Sequence, residues 1–243
     1  MYPFAHLRSA YDTFWSVLRG HLSASVEAPS GLAWHLDLAD AWSAPDLLMG
    51  QTCGWPLTML QPHLTAIGSF DVAAPFAAGG RYRSVLVASK PLGLEQWKAD
   101  QGTVVARNGA DSLSGWISMQ WAWGGVPPQV ITTGGHAASM RAVAAGEAHV
   151  ASIDALTFEF LAETEPATVG HLHVIGHGPL VPSLPLAANR DVARVAEFRA
   201  ALAATVVDPA AADACARLRI RGFVPFEDAE YATLRSLVPP PAR

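Results

Sequence analysis

Apolar residues near the start of the chain fall at helical spacing. Ala10, Phe14, Val17 and Leu18 share one face of a 3.6-residue period, which predicts a helix over roughly 5–21. The run Asp46-Leu47-Leu48-Met49-Gly50 reads as a short buried strand, followed by a loop over 51–56. A second strand, rich in β-formers, is predicted over 82–88. Beyond it the pattern alternates regularly. Strands are predicted over 103–106, 130–133, 150–153 and 171–175, and helices over 112–123, 136–145 and 155–162. Strand and helix alternating at this spacing imply an α/β layer on a parallel sheet. After Gly178 the prolines at 179, 182 and 185 predict an extended stretch, then alanine-rich helices over 191–206 and 209–218. Pro239-Pro240-Pro241 cannot continue a helix.

Composition narrows the class of protein. The 243 residues are 51% hydrophobic and only 15% charged, enough for a large core and too apolar for disorder. The formal net charge of -5, without a basic run, argues against a nucleic-acid partner. Cys53 and Cys215 form neither a disulfide framework nor a zinc motif, and whether one bridge joins them stays open. The opening residues, Met1-Tyr2-Pro3-Phe4, lack the basic and apolar regions of a signal peptide. No apolar window of about 18 residues reads as a membrane span.

Two strand-to-helix turns carry the candidate chemistry. They are Asp111-Ser112-Leu113-Ser114-Gly115 and Thr132-Thr133-Gly134-Gly135-His136-Ala137-Ala138-Ser139. Each places hydroxyls and small residues at a helix start, where unpaired N–H groups and the positive end of the helix dipole favour an anion. Ordinary capping explains one such turn equally well. Two of them, following neighbouring strands of an open sheet, converge on the carboxyl edge where ligands bind.

At this point a family resemblance becomes specific. Residues 108–116 resemble the N-D-P-x-S-x-S-G turn of the PhnD-type phosphonate-binding periplasmic proteins of ABC importers. Residues 133–154 are similar to that family's second signature, through Thr133-Gly134-Gly135-His136-Ala137-Ala138-Ser139, Ala142-Val143, Gly146, Val150-Ala151 and Ile153-Asp154. The strand from Tyr82 resembles its hinge strand, and Pro182-Ser183-Leu184-Pro185-Leu186 its return crossover. The resemblance implies a two-lobed type II periplasmic-binding-protein fold with two hinge crossings. One lobe would comprise 1–83 plus 184–243, the other 84–183. It implies an interlobe cleft for a phosphonate- or phosphate-like oxyanion, an ABC permease as partner, a periplasmic location and a monomer. Ser112, Ser114 and Gly115 carry over as the anion site, with His136 at the second turn and Tyr82 at the hinge. Asp154 stands where a carboxylate would meet an amino group on the ligand, and Gln51 and Thr52 are cleft candidates by position. Leu113 and Gly135 each replace a hydroxyl residue of the pattern, which removes donors.

No cofactor, metal or catalytic residue is called for. The spacing of His171, His173 and His177 would put the first two on one side of a strand, yet no fourth ligand is near in sequence. Two rival readings share the fold: a cytoplasmic ligand sensor, suggested by the missing leader, and a small enzyme using Cys53 or His136.

Overall fold

The computed structural model describes residues 4–24 and 26–237. In chain order, a short 3-10 turn leads into α1 (Arg8–His21), and then come α2 (Leu38–Ser43), β1 (Gly50–Gln51), α3 (Gly54–Met59) and β2 (Leu64–Val72). Next are β3 (Arg81–Tyr82), β4 (Val85–Ala88), α4 (Leu94–Ala99) and β5 (Val104–Arg107). A π-helical turn, Leu113–Ile117, runs directly into α5 (Ser118–Trp123), and β6 (Gln129–Thr132), α6 (His136–Ala144), β7 (Val150–Ile153), α7 (Ala155–Thr164) and α8 (Pro166–Gly170) follow. The chain ends with β8 (His173–His177), β9 (Val181–Pro182), β10 (Pro185–Asn189), α9 (Val195–Thr205), α10 (Ala212–Arg217), β11 (Ile220–Val224) and α11 (Asp228–Ala232). The tail prolines lie outside the described residues.

The chain divides into two compact units. The first takes residues up to Ala73, Ala77–Arg81 and Pro182–Ala232; the second takes Ala74–Phe76, Tyr82–Val181 and the 3-10 turn Thr233–Leu237. That last turn was assigned with the first lobe in the sequence reading. The chain passes from unit to unit at Arg81–Tyr82 and again at Val181–Pro182.

The first unit is built on an antiparallel sheet of order β1-β10-β2-β11. Its central strand, β2, is buried along most of its length, and the sequence reading passed over it. Gly68, Ser69 and Asp71 break the apolar run that would have marked it. Gly68 is required by a close approach: a Cβ there would stand 2.5 Å from the Val224 carbonyl oxygen of β11. Against this sheet pack α1 and α9. Leu7, Ala10, Tyr11, Phe14, Trp15 and Leu18 form the buried stripe of the predicted first helix, and Phe14 meets Phe70 edge-on at 5.4 Å. The strand expected over 46–50 is not formed. That run is half-exposed and irregular up to Gly50, and Gly50 and Gln51 form a two-residue strand at the sheet edge against β10, flanked by backbone hydrogen bonds from Asn189 to Leu47 and from Thr52 to Pro185.

The second unit is the one built from strand–helix alternation. Its sheet order is β6-β5-β7-β4-β8. The expectation of a parallel sheet holds for β5 with β6 and β7, but β4 runs antiparallel to both β7 and β8. The cause is topological. The chain enters on β4 and leaves on β8, and Val85 at the start of β4 pairs with His177 at the end of β8, so both crossings lie at one end of this unit. Leu86, Ala88, Trp97, Val105, Met119, Trp123 and Val150 form a core cluster in it. The strand expected from His171 begins at His173 instead, because Pro166 starts a short helix that ends with His171 as its cap.

Candidate functional site

In the second unit β5 and β6 are parallel neighbours, with Arg107 opposite Thr132. Both of the helix-start turns therefore leave the same edge of the sheet. At the first, Ser112 is extended and caps the π-helical turn, its Oγ accepting the Gly115 N–H at 3.0 Å. The Trp116 and Ile117 amides both reach the Ser112 carbonyl at 3.0 Å. At the second turn, the Thr133 hydroxyl lies 2.6 Å from Ser139 Oγ and within reach of the Arg107 and Gly135 carbonyls, which closes the loop before α6.

The two turns meet side chain to side chain. Ser114, 4% exposed, places its Oγ 2.8 Å from His136 Nε2. Asn108 places its Nδ2 3.3 Å from the same nitrogen. An amide nitrogen only donates, so Nε2 presents its lone pair there, and the Ser114 hydroxyl lies in reach of the same lone pair. Gly115 makes the packing possible. A Cβ at that position would fall 1.8 Å from Asn108 Oδ1 and 3.2 Å from His136 Cε1. The role of that glycine is thus to admit the Asn108 amide.

The third member comes from the end of β7. Ser152 donates to the Ser114 carbonyl at 2.5 Å. Asp154 follows two residues later, at the head of α7. It is 2% exposed, and its Oδ1 caps α7 by accepting the Thr157 N–H at 2.9 Å. Its Oδ2 has no hydrogen-bond partner, and neither have Asn108 Oδ1 and His136 Nδ1. Burial holds the His136 imidazole below its ordinary pKa, so the neutral ring dominates at neutral pH; the Asp154 charge pulls the other way. The Ser152 backbone acts in the same sense as Asp154, although Nδ1 makes no hydrogen bond of normal geometry.

The structure thus brings Ser112, Ser114, Gly115, His136 and Asp154 into one cluster. Tyr82 is buried in β3, at the first crossing. Gln51 and Thr52 belong to the first unit. The Gln51 carbonyl accepts from the Trp42 indole at 3.2 Å, and buried Thr52 donates its N–H to the Pro185 carbonyl at 3.0 Å. Sequence reasoning missed Asn108 and Ser152. Asn108 read as a turn residue before glycine, and Ser152 as one residue of a buried strand. The signal for both was their place at the carboxyl ends of successive strands.

His173 is exposed, and His177 packs against Phe76 with ring centroids 3.9 Å apart and the rings tilted by 43°. Among the described residues no group of three or more His, Cys, Asp or Glu side chains is placed to hold a metal ion. Cys53 is half-buried and Cys215 is buried, and burial raises the pKa of Cys215. No helix among the described residues is long and apolar enough to cross a membrane.

Over residues 61–231 the sequence matches the family described as ABC transporter, phosphonate, periplasmic substrate-binding protein. The chain belongs to that family. Its members are binding proteins of transport systems. Among solved structures, a binding-protein component of an ABC phosphonate transporter from Pseudomonas aeruginosa is 20% identical with a TM-score of 0.73, covering 96% of this chain and 80% of that one. A PhnD protein from Prochlorococcus marinus, in complex with methylphosphonate, is 15% identical with a TM-score of 0.64, covering 79% and 76%. A Xanthomonas citri protein bound to ATP is 15% identical with a TM-score of 0.66, covering 95% and 92%. These likenesses fix the fold as that of the two-lobed periplasmic solute-binding proteins. No curated protein matches the sequence.

Proposed function

We propose that the protein captures a small phosphorus oxyanion, phosphonate- or phosphate-like, at the Ser112–Gly115 and His136 turns and presents it to an ABC permease on the periplasmic side of the membrane. The supporting observation is the 2.8 Å contact between Ser114 and His136, which draws the two helix-start turns into one polar cluster. The Ser112 and Ser114 hydroxyls supply donors that rotate to suit a tetrahedral anion. The dipole of the eleven-residue helical run from Leu113 to Trp123 favours its charge. Binding is the whole task in this reading: no bond is made or broken, and no metal or cofactor takes part. Gln51, Thr52 and Tyr82 are further contacts to be tested by substitution.

Isothermal titration with methylphosphonate, phosphate, phosphite and sulfate tests the proposal. Saturable binding of a phosphorus oxyanion, weakened at least about tenfold in the double variant Ser112→Ala, Ser114→Ala, supports it; that corresponds to about 1.4 kcal/mol. Unchanged affinity in the double variant would remove these hydroxyls from the site.

A further inference from the structure

A site for a bare oxyanion needs donors. The cluster around His136 also contains acceptors with nothing to accept. Asp154 Oδ2 and Asn108 Oδ1 are both buried and unpartnered, and the one unpartnered nitrogen beside them is His136 Nδ1. With Nε2 facing the Asn108 amide nitrogen, the ring proton of neutral His136 sits on Nδ1. Both oxygens stay without a donor in this arrangement, while Asn108 Nδ2 and Ser114 Oγ share the single Nε2 lone pair. Buried polar groups are nearly always paired in the working state of a protein, and an unpaired one costs about 1–3 kcal/mol.

The position of these oxygens matters as much as their lack of a donor. Ser152 Oγ holds the Ser114 carbonyl, and Asp154 follows two residues later, near enough to His136 for its charge to act on the ring. Asn108 Oδ1 occupies the place where Gly115 lacks a Cβ, so this acceptor borders the hydroxyl turn itself.

Resting on the function proposed above, we infer that the site selects its ligand in a protonated state, as a tetrahedral phosphorus monoanion whose remaining P–OH donates to Asp154 or Asn108. The other oxygens take the hydroxyl and backbone donors of the turn. A dianion would set a further negative oxygen against the Asp154 carboxylate. A sulfonate has the right shape and charge but no proton to give, so it leaves the acceptor unpaired. The charged groups around the cluster are Asp154 at the head of α7, Arg107 at the end of β5, whose guanidinium lies 4.8 Å over the Trp116 ring, and Asp111 in the first turn. Burial keeps His136 neutral above neutral pH, so the proton followed by titration is the ligand's.

The experiment is calorimetric titration of the intact protein with methylphosphonate and with methanesulfonate, repeated from pH 6.5 to pH 9. Methylphosphonate loses its second proton in this range; methanesulfonate has none to lose. The expected result is methanesulfonate at least about 100-fold weaker, and a methylphosphonate Kd that rises about tenfold per pH unit once the monoanion is depleted. Asp154→Asn keeps a capping oxygen for Thr157 and turns the second position into a donor. It should flatten the pH profile and narrow the gap between the two ligands, with the thermal midpoint as folding control. If that variant does not fold, the two-ligand comparison on the unaltered chain decides alone. Equal binding of both ligands, or methylphosphonate affinity that is flat or rises with pH, would overturn the inference while leaving oxyanion capture standing. Failure of both ligands, with phosphate and phosphite also silent, would overturn it together with the proposed function.

Discussion

The two units differ in how their polar side chains are met. In the first, long-range hydrogen bonds tie several of them to the backbone, although the buried Ser183 hydroxyl has no partner. Arg199 spans the Ile67 and Phe226 carbonyls at 2.7 and 3.1 Å, and Asp228 accepts the Ala66 N–H at 2.8 Å. Tyr231 donates to the Ser183 carbonyl at 3.1 Å, and burial raises its pKa far above that of an exposed phenol. In the second unit, Asn108 and Asp154 each hold one side-chain partner and His136 holds two, and each leaves one polar atom open in the same cluster. Paired groups hold a fold together, whereas several open ones gathered together are what the proposed ligand would fill.

Four substitutions would break or sharpen that contrast. The largest effect is expected in the first unit. Phe198 on α9 is fully buried, and Phe198→Ala should cost about 3–5 kcal/mol in urea unfolding while leaving ligand affinity of the folded protein unchanged. A large loss of affinity there would mean that the first unit is not merely structural. Gly115→Ala comes next. Its Cβ would overlap Asn108, so about 1–3 kcal/mol of stability should be lost and oxyanion affinity should fall at least about tenfold. Retained affinity would show that the Asn108–His136 arrangement is dispensable.

A smaller effect should appear in the pH dependence of stability. The folded pKa of His136 lies below its unfolded value, so between the two the unfolded chain binds more protons. Its contribution is full above the ordinary imidazole pKa and is lost as pH falls toward the folded value. His136→Gln should flatten part of that acid-side slope. His177, also held low by burial and Arg83, supplies the remainder in the unaltered chain. An unchanged slope would place the His136 ring in water. The smallest effect is reserved for Arg141→Ala. Its ion pair with Glu165 is largely solvent-exposed, and about 0–1 kcal/mol is expected by thermal denaturation.

Much of the second unit could be read along the chain. Strands β5, β6 and β7 each lead into a helical segment within a few residues, so periodicity and turn residues mark them. The first unit was harder to read because its sheet is assembled from distant segments. β2 sits between β10 and β11, which are more than a hundred residues away, and its Gly68, Ser69 and Asp71 make sense only beside those partners. β11 went unseen for the same reason, and residues 46–50 were misread because an apolar run says nothing about whether a sheet has room for it.

The candidate site divides along similar lines. The sequence by itself determined the α/β class and the two hydroxyl-bearing turns that hold Ser112, Ser114, Gly115 and His136, because helix starts are local events written in local residue types. Only the tertiary structure decided that Asn108 fills the gap at Gly115, that Ser152 holds the Ser114 carbonyl, and that Asp154 keeps an unpaired oxygen beside them. Those facts depend on the parallel stacking of β5, β6 and β7, which sets strand ends far apart in sequence at one edge of one sheet.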